Sequence, residues 1–248
     1  MSHKDIHILF VTVGEPFAFE TLDALIEYMP VKHKLCIWYD TCGREVDWPY
    51  FQKLRTYTDN VILSTQNQAT ARILGYAMLY LDGDYLMYVP CDNLANPDYY
   101  ARLMAAIDNT ENAGCVGCAR VDDNPDFKFE FDFIANSRVY RPDGIMIYPK
   151  KTIKDVGGIC PSFGEHGFMI LEWLERAMSK GWNLVSCSKV AKEIGGMHYG
   201  REMNPKTKEE IEYSTKTYLK IKDSGYKNFI WWDDSYKEKK GDVVLCQN

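Results

Sequence analysis

The first ninety residues alternate short apolar runs with segments of helical period, and few folds accommodate that alternation. Ile6–Val13 is a continuous apolar run, as expected of a strand covered on both faces. Residues 19–29 follow with Leu22, Leu25, Ile26 and Met29 at helical spacing. The pattern then repeats. Residues 34–40 read as a strand, 49–58 as a short helix, 60–65 as a strand, 69–81 as a helix, and 85–90 as a fourth strand. Strand and helix in turn, with short connections, predict a mostly parallel central sheet flanked by helices, an α/β fold.

In such sheets ligands bind beyond the carboxyl ends of the strands, near a switch in strand order. That rule selects Thr12–Glu15, Asp40–Gly43, Gln66–Gln68 and Cys91–Asn93. Three of the four carry an acidic residue. Asp92 arrives where the apolar run 85–90 stops, so it reads either as a cap of the next turn or as a ligand. Asp40 has the same two readings, an Asx-turn or a contact to a bound molecule.

The back half is less regular. Residues 96–109 predict a helix with Asn96 as N-cap and Pro97 at its first position. Residues 113–121, 127–134 and 144–149 read as strands, the second with Phe127, Phe129, Phe131 and Phe133 on one side. Residues 165–181 predict a helix in which Glu172 and Arg176 pair one turn apart and Gly181 is the stop. Residues 183–200 read as closing strands or loops, and 204–225 as a polar helix.

Composition excludes several classes. At 248 residues and 46% apolar content, the chain can bury a sizeable core. It has no apolar run of membrane-spanning length, and its N-terminus lacks a signal-peptide layout, so a cytoplasmic protein without a membrane span is expected. The net charge of −6 and the absence of a basic block disfavour nonspecific nucleic-acid binding. Eight cysteines lie mostly inside apolar runs. Cys115 and Cys118 form a lone CxxC whose members point to opposite faces of a strand, which suits packing and not zinc.

The order of motifs resembles a GT-A fold, family-2-like glycosyltransferase across roughly residues 6–200. The resemblance rests on Ala71-Arg72, Gly75 and Gly83-Asp84-Tyr85 ahead of Pro90-Cys91-Asp92, which stands at the family's D-x-D. It extends to "NPDYYARLMAAI" and to "VGGICPSFGEHGFMILEWLERAMSKGW", near the family's G-G-x-E-D segment. It implies a Rossmann-like GT-A domain over 1–203, with a nucleotide-sugar half to about 95 and an acceptor half, with a smaller antiparallel part, over 96–203. Residues 204–248 would be a helical extension packed on it.

By the same resemblance, Asp92 and His198 would hold a divalent metal, Mn²⁺ or Mg²⁺. Thr12, Glu15, Asp40, Arg72, Cys91, Asn93 and Arg201 would meet the nucleotide-sugar donor. Glu165 or His166 would deprotonate an acceptor hydroxyl, His166 standing where the family has Asp. Pro90 replaces the first Asp of D-x-D. The implied activity is metal-dependent sugar transfer from a nucleotide donor, UDP-linked by the position of Asp40, with inversion. The acceptor class stays open among glycan, small molecule, protein and modified nucleic-acid base. Two rivals remain: a catalytically inactive GT-A-like protein binding a nucleotide-sugar or a partner, and a nucleotidyltransferase. The latter lacks its Gly-rich basic loop, since "VTVGEPFAF" has one glycine and no basic residue.

Overall fold

The computed structural model describes residues 4–80, 82–120, 131–137, 140–160, 163, 168–194, 208–225 and 243–245. The front half runs β1 (Ile6–Thr12), α1 (Ala18–Glu27), β2 (His33–Asp40), α2 (Trp48–Leu54), β3 (Val61–Ser64), α3 (Ala69–Tyr80) and β4 (Tyr85–Pro90). Next come β5 (Asn93–Ala95), α4 (Tyr99–Asn109), β6 (Ala113–Arg120), β7 (Phe133–Ala135), β8 (Arg141–Pro149) and α5 (Lys150–Val156). The chain continues with α6 (Met169–Ser179), β9 (Asn183–Cys187), β10 (Ala191–Glu193), α7 (Lys208–Asp223) and β11 (Val243–Leu245).

Among the described residues one sheet has the order β11-β3-β2-β1-β4-β8-β6-β9-β7. Strands β3, β2, β1 and β4 are parallel. β8 opposes both β4 and β6, and β9 is parallel to β6. These four strands plus β6 and β9 therefore share one direction; β8, β7 and β11 run against it. The sheet is mixed and mostly parallel, as the alternation predicts. A separate antiparallel ribbon pairs β5 with β10.

The sheet is covered on both faces, and the period-2 alternation of the strands divides the core. Ile6, Ile8 and Phe10 face the layer of α1, α2 and α4, against Leu22, Leu25, Leu54 and Leu103. Leu9, Trp38 and Tyr88 face the layer of α3, α5, α6 and α7, against Leu74, Met78, Ile153, Trp173 and Ile221. Cys115 belongs to the second cluster and Cys118 packs on the first, so the CxxC pair is split across the sheet. Among the described residues no helix is long and apolar enough to cross a membrane.

Several elements differ from the sequence reading. Helix α4 starts at Tyr99, and Asn96 is not its cap. The Asn96 amide instead donates to the Lys189 carbonyl at 2.7 Å, and its backbone N–H donates to the Val190 carbonyl, tying this turn to the segment after β9. β5, α5 and β11 have no counterpart in the periodicity, being too short to show one. The Phe-rich strand lies largely outside the described residues, with β7 at its end.

Two contacts set the approach of α3 and α6. The Glu172–Arg176 pair forms as expected, and it is buried. Arg176 donates to both Glu172 oxygens and to the carbonyls of Val156 and Gly158. Trp173 Nε1 adds a bond to the Gly157 carbonyl at 2.7 Å. Helix α6 thereby grips the segment Gly157–Cys160, on which α3 rests. A Cβ on Gly75 would stand 2.9 Å from the Ile159 carbonyl oxygen. Gly→Ala in a helix ordinarily stabilises by about 0.5–1 kcal/mol. Here overpacking should outweigh it, so Gly75→Ala is expected to destabilise by about 1–3 kcal/mol in chemical denaturation. A gain in stability would show that α3 does not approach Ile159 this closely.

Candidate functional site

The parallel strands end level with one another. Thr12 pairs with Tyr39, Asp40 with Ser64, and Val11 with Pro90. The chain leaves β1 toward β2 and β3 on one side, then returns to β4 on the other, so β1 marks the switch in strand order. The loops after β1, β2, β3 and β4 consequently share one rim.

After β1 the chain folds back on a carboxylate. Glu15 Oε2 accepts from the Thr12 hydroxyl at 2.7 Å and from the Val13 N–H at 2.8 Å. Tyr50, on α2, shares a hydrogen bond of 2.6 Å with Thr12 and donates to the Glu15 carbonyl. Arg44 donates to the carbonyls of Val13 and Thr41, joining the first two loops. Thr12 and Glu15 are both buried. They shape this loop, and Tyr50, which the sequence reading passed over, is their brace.

Asp40 is only 2% exposed. Its two oxygens accept from the backbone N–H groups of Cys42 and Gln68, each at 2.8 Å. One carboxylate thus ties the loop after β2 to the loop after β3. On either side the backbone is strained: Cys42 has φ +53° and Ala69 has φ +55°, a region that side chains with a Cβ rarely occupy. Arg72 stands in the first turn of α3 beside this junction, half-buried.

The end of β4 is held from the other layer. The buried Thr21 hydroxyl donates to the Cys91 carbonyl at 2.6 Å. Cys91 is buried, and burial beside Glu15 pushes its thiol well up, so it stays protonated. The Asp92 carbonyl accepts from Ile194 N–H, and Asn93 pairs with Glu193 in the ribbon. The Asn93 amide donates to Asp92 Oδ1 at 2.7 Å. Gly144, at φ +61°, lies so near the Asn93 carboxamide oxygen that a Cβ would fall 2.2 Å from it. Asp92 itself is half-exposed at the rim.

No family model matches this chain, and no curated protein matches its sequence. Solved structures do match its architecture. GalNAc-T7 with UDP, GalNAc and Mn²⁺ superposes with a TM-score of 0.58 at 14% identity, over 96% of this chain and 54% of that one. The mannosyltransferase PcManGT of Pyrobaculum calidifontis, in complex with GDP-Man and Mn²⁺, gives 0.56 at 14% identity, over 80% and 60%. Glucosyl-3-phosphoglycerate synthase of Mycobacterium tuberculosis, with phosphoglyceric acid, gives 0.56 at 9% identity, over 79% and 74%. The chain has the GT-A glycosyltransferase fold. It spans a little over half the length of the first two of these chains. At such identities the likeness extends to the fold alone.

Within this GT-A fold several carboxylates gather at the rim. Burial raises the Asp92 carboxyl above an ordinary Asp, the Asn93 hydrogen bond opposes that rise, and the charges of Glu193 and Glu15 add to it. Asp143, on β8, acts together with Asp92 on the buried Tyr88 hydroxyl, whose pKa burial pushes up. Among the described residues no three Asp, Glu, His or Cys side chains form a group that could hold a metal unaided. Thr12, Glu15, Cys91, Asp92 and Asn93 are brought together, with Asp40 and Arg72 one loop away. Glu165, His166, His198 and Arg201 lie outside the described residues. Asp143 and Glu193 escaped the sequence reading because only the pairing of β8 with β4, and of β10 with β5, brings them here.

Because the folded-state pKa of Asp92 is raised, ionising it costs the native state free energy. The cost is absent below the ordinary Asp value of 3.8, grows as pH rises from there, and is complete above the higher folded value. In thermal melts of the ligand-free protein, Asp92→Asn should therefore raise the midpoint at pH 7, with the gain vanishing on acidification below that range. A lower midpoint at pH 7 would contradict this electrostatic account.

Proposed function

We propose that the protein is a glycosyltransferase that moves a sugar from a nucleoside-diphosphate donor to an acceptor hydroxyl. The observation that carries the reading is Asp92, a half-exposed carboxylate at the switch-point rim, set in the negative field of Glu15 and Glu193. Hard carboxylate oxygen, with the carboxylates of Glu15 and Glu193 near it, suits Mn²⁺ or Mg²⁺. Among the described residues no group of three metal-ligating side chains forms, so a cation there would also need oxygens from donor phosphates or water. Asp92 would hold it, with His198 in the same proposal. Bound there, a divalent cation supplies neutralisation of the departing diphosphate.

The chain's own residues account for the rest of the proposal. Thr21 and Asn93 fix the carbonyl and side chain that aim Asp92. Asp40 holds the two loops on which a uracil ring would lie, so it positions the base site while its oxygens stay engaged with backbone. Arg72, with Arg201, would meet phosphate oxygens. Glu165 or His166 would take the acceptor proton as its oxygen attacks the anomeric carbon and the bond to diphosphate breaks. A single displacement of this kind inverts the anomeric centre. The fold's likeness to transferases that carry UDP or GDP-Man supports a nucleotide donor.

A second reading has its own support. Pro90 replaces one carboxylate of D-x-D, which leaves room for a protein that binds a nucleotide-sugar without turning it over. Donor hydrolysis separates the two. With UDP-sugars and Mn²⁺ at 100 times Kd, binding should stabilise by about 2.7 kcal/mol, a rise of about 5–10 °C. A transferase should also release UDP slowly, and Asp92→Asn should cut that release by about 100-fold or more. Stabilisation without release would favour the binding protein. Neither effect, with any UDP, GDP or dTDP donor, would refute both.

A further inference from the structure

The opposite end of the sheet carries a cavity of about 620 Å³. It opens at the amino ends of β1, β2 and β4, on the face covered by α3 and α5. Asp5, His7, Lys34, Gly83, Lys150 and Lys154 are among the residues around it. It is a full strand's length from Thr12 and Pro90, so it is separate from the rim described above.

Its walls are built from backbone pairing. Asp84 and Tyr85 N–H groups donate to the Asp5 carbonyl, and Lys150 N–H donates to the Asp84 carbonyl. The Asp84 carboxylate accepts from Asp5 N–H at 3.0 Å, which commits it to the frame. Gly83 is required here: a Cβ would stand 2.8 Å from the His7 ring and 3.0 Å from the Asp5 carbonyl oxygen. The Gly83-Asp84 pair of the sequence motif therefore organises this end of the sheet.

Two observations point to a ligand. His7 is only 7% exposed, and its Nε2 has no hydrogen-bond partner; the nearest carboxylate oxygen, of Asp5, is 3.6 Å away. A buried polar nitrogen left unpaired is costly, and a bound acceptor would satisfy it. Four lysines also converge on the cavity, Lys34, Lys150, Lys151 and Lys154. Lys150 and Lys154 are one turn apart on α5, where like charges repel. Lys34 meets Asp5 at 3.6 Å and Lys150 meets Asp82 at 4.0 Å, with the Asp82 side chain 93% exposed. Among the described residues neither Lys151 nor Lys154 is in an ion pair; Lys151 instead lies over the Trp182 ring.

We propose that this cavity binds a phosphorylated small molecule, with the lysines of α5 and Lys34 on its phosphate oxygens and His7 Nε2 as a buried hydrogen-bonding group. The volume lies within the range of small-molecule sites and accommodates more than a lone phosphate. Lysine serves here as a point charge for phosphate. The proposal does not depend on the glycosyl-transfer reading.

Pyrophosphate is the probe, titrated calorimetrically in EDTA so that metal-dependent binding at the other rim is suppressed. The wild-type chain should bind one equivalent. The Lys151→Ala/Lys154→Ala double variant, altered only at exposed positions, should weaken binding about tenfold or more, while Asp92→Asn should bind as wild type does. The His7 imidazole nitrogen resonances should shift on titration. Absence of saturable binding would overturn the proposal. So would binding that the lysine changes leave intact, or binding that is lost in Asp92→Asn, which would place the anion at the carboxyl rim of the sheet.

Discussion

The parallel register of β3, β2, β1 and β4 is the constraint on which the rest depends. Because these strands end level, four loops are forced onto one rim, whatever their sequences. Backbone pairing alone would leave those loops loose. Side chains tie them instead: Glu15 closes the first loop, Arg44 joins the first to the second, and Asp40 joins the second to the third. Thr21 then reaches from the helical layer to fix the exit of β4. The strained backbone at Cys42 and Ala69 sits in this network, held by neighbours that over-determine it.

Charge is distributed unevenly between the two ends of the sheet. At the carboxyl end Asp92, Glu15, Glu193 and Asp143 influence one another or their shared neighbour Tyr88. At the amino end four lysines and a buried histidine gather around a cavity that Asp5, Asp82 and Asp84 also line. The two ends are connected by β1 itself, which carries His7 near one end and Thr12 at the other.

The sequence disclosed the fold through its strongest periodicities. Apolar runs at 6–13 and 85–90 and the helical stripe through Leu74 and Met78 each had one physical solution, and the structure contains it. It also placed Asp92 at a rim, because the end of a buried strand is visible as the end of an apolar run. Partners supplied by distant pairing were hidden. Asp143 and Glu193 belong to strands whose neighbours no local pattern specifies, and Tyr50 looks like an ordinary helix aromatic until Thr12 is placed beside it. Asp40 was visible as a strand end. That its oxygens would both be taken by backbone N–H groups was an alternative only the folded loops could establish.

In the proposed function Asp92 would hold a divalent cation against a donor diphosphate. Electron paramagnetic resonance of Mn²⁺ tests it directly, since free aqueous Mn²⁺ loses its signal intensity on binding. Added UDP should draw Mn²⁺ onto the wild-type protein as a ternary complex, and ³¹P relaxation should report both phosphates beside the metal. Asp92→Asn should leave the metal with free UDP in solution. If the variant assembles the ternary complex as tightly as wild type does, the carboxylate at position 92 is not the metal's anchor and the account fails.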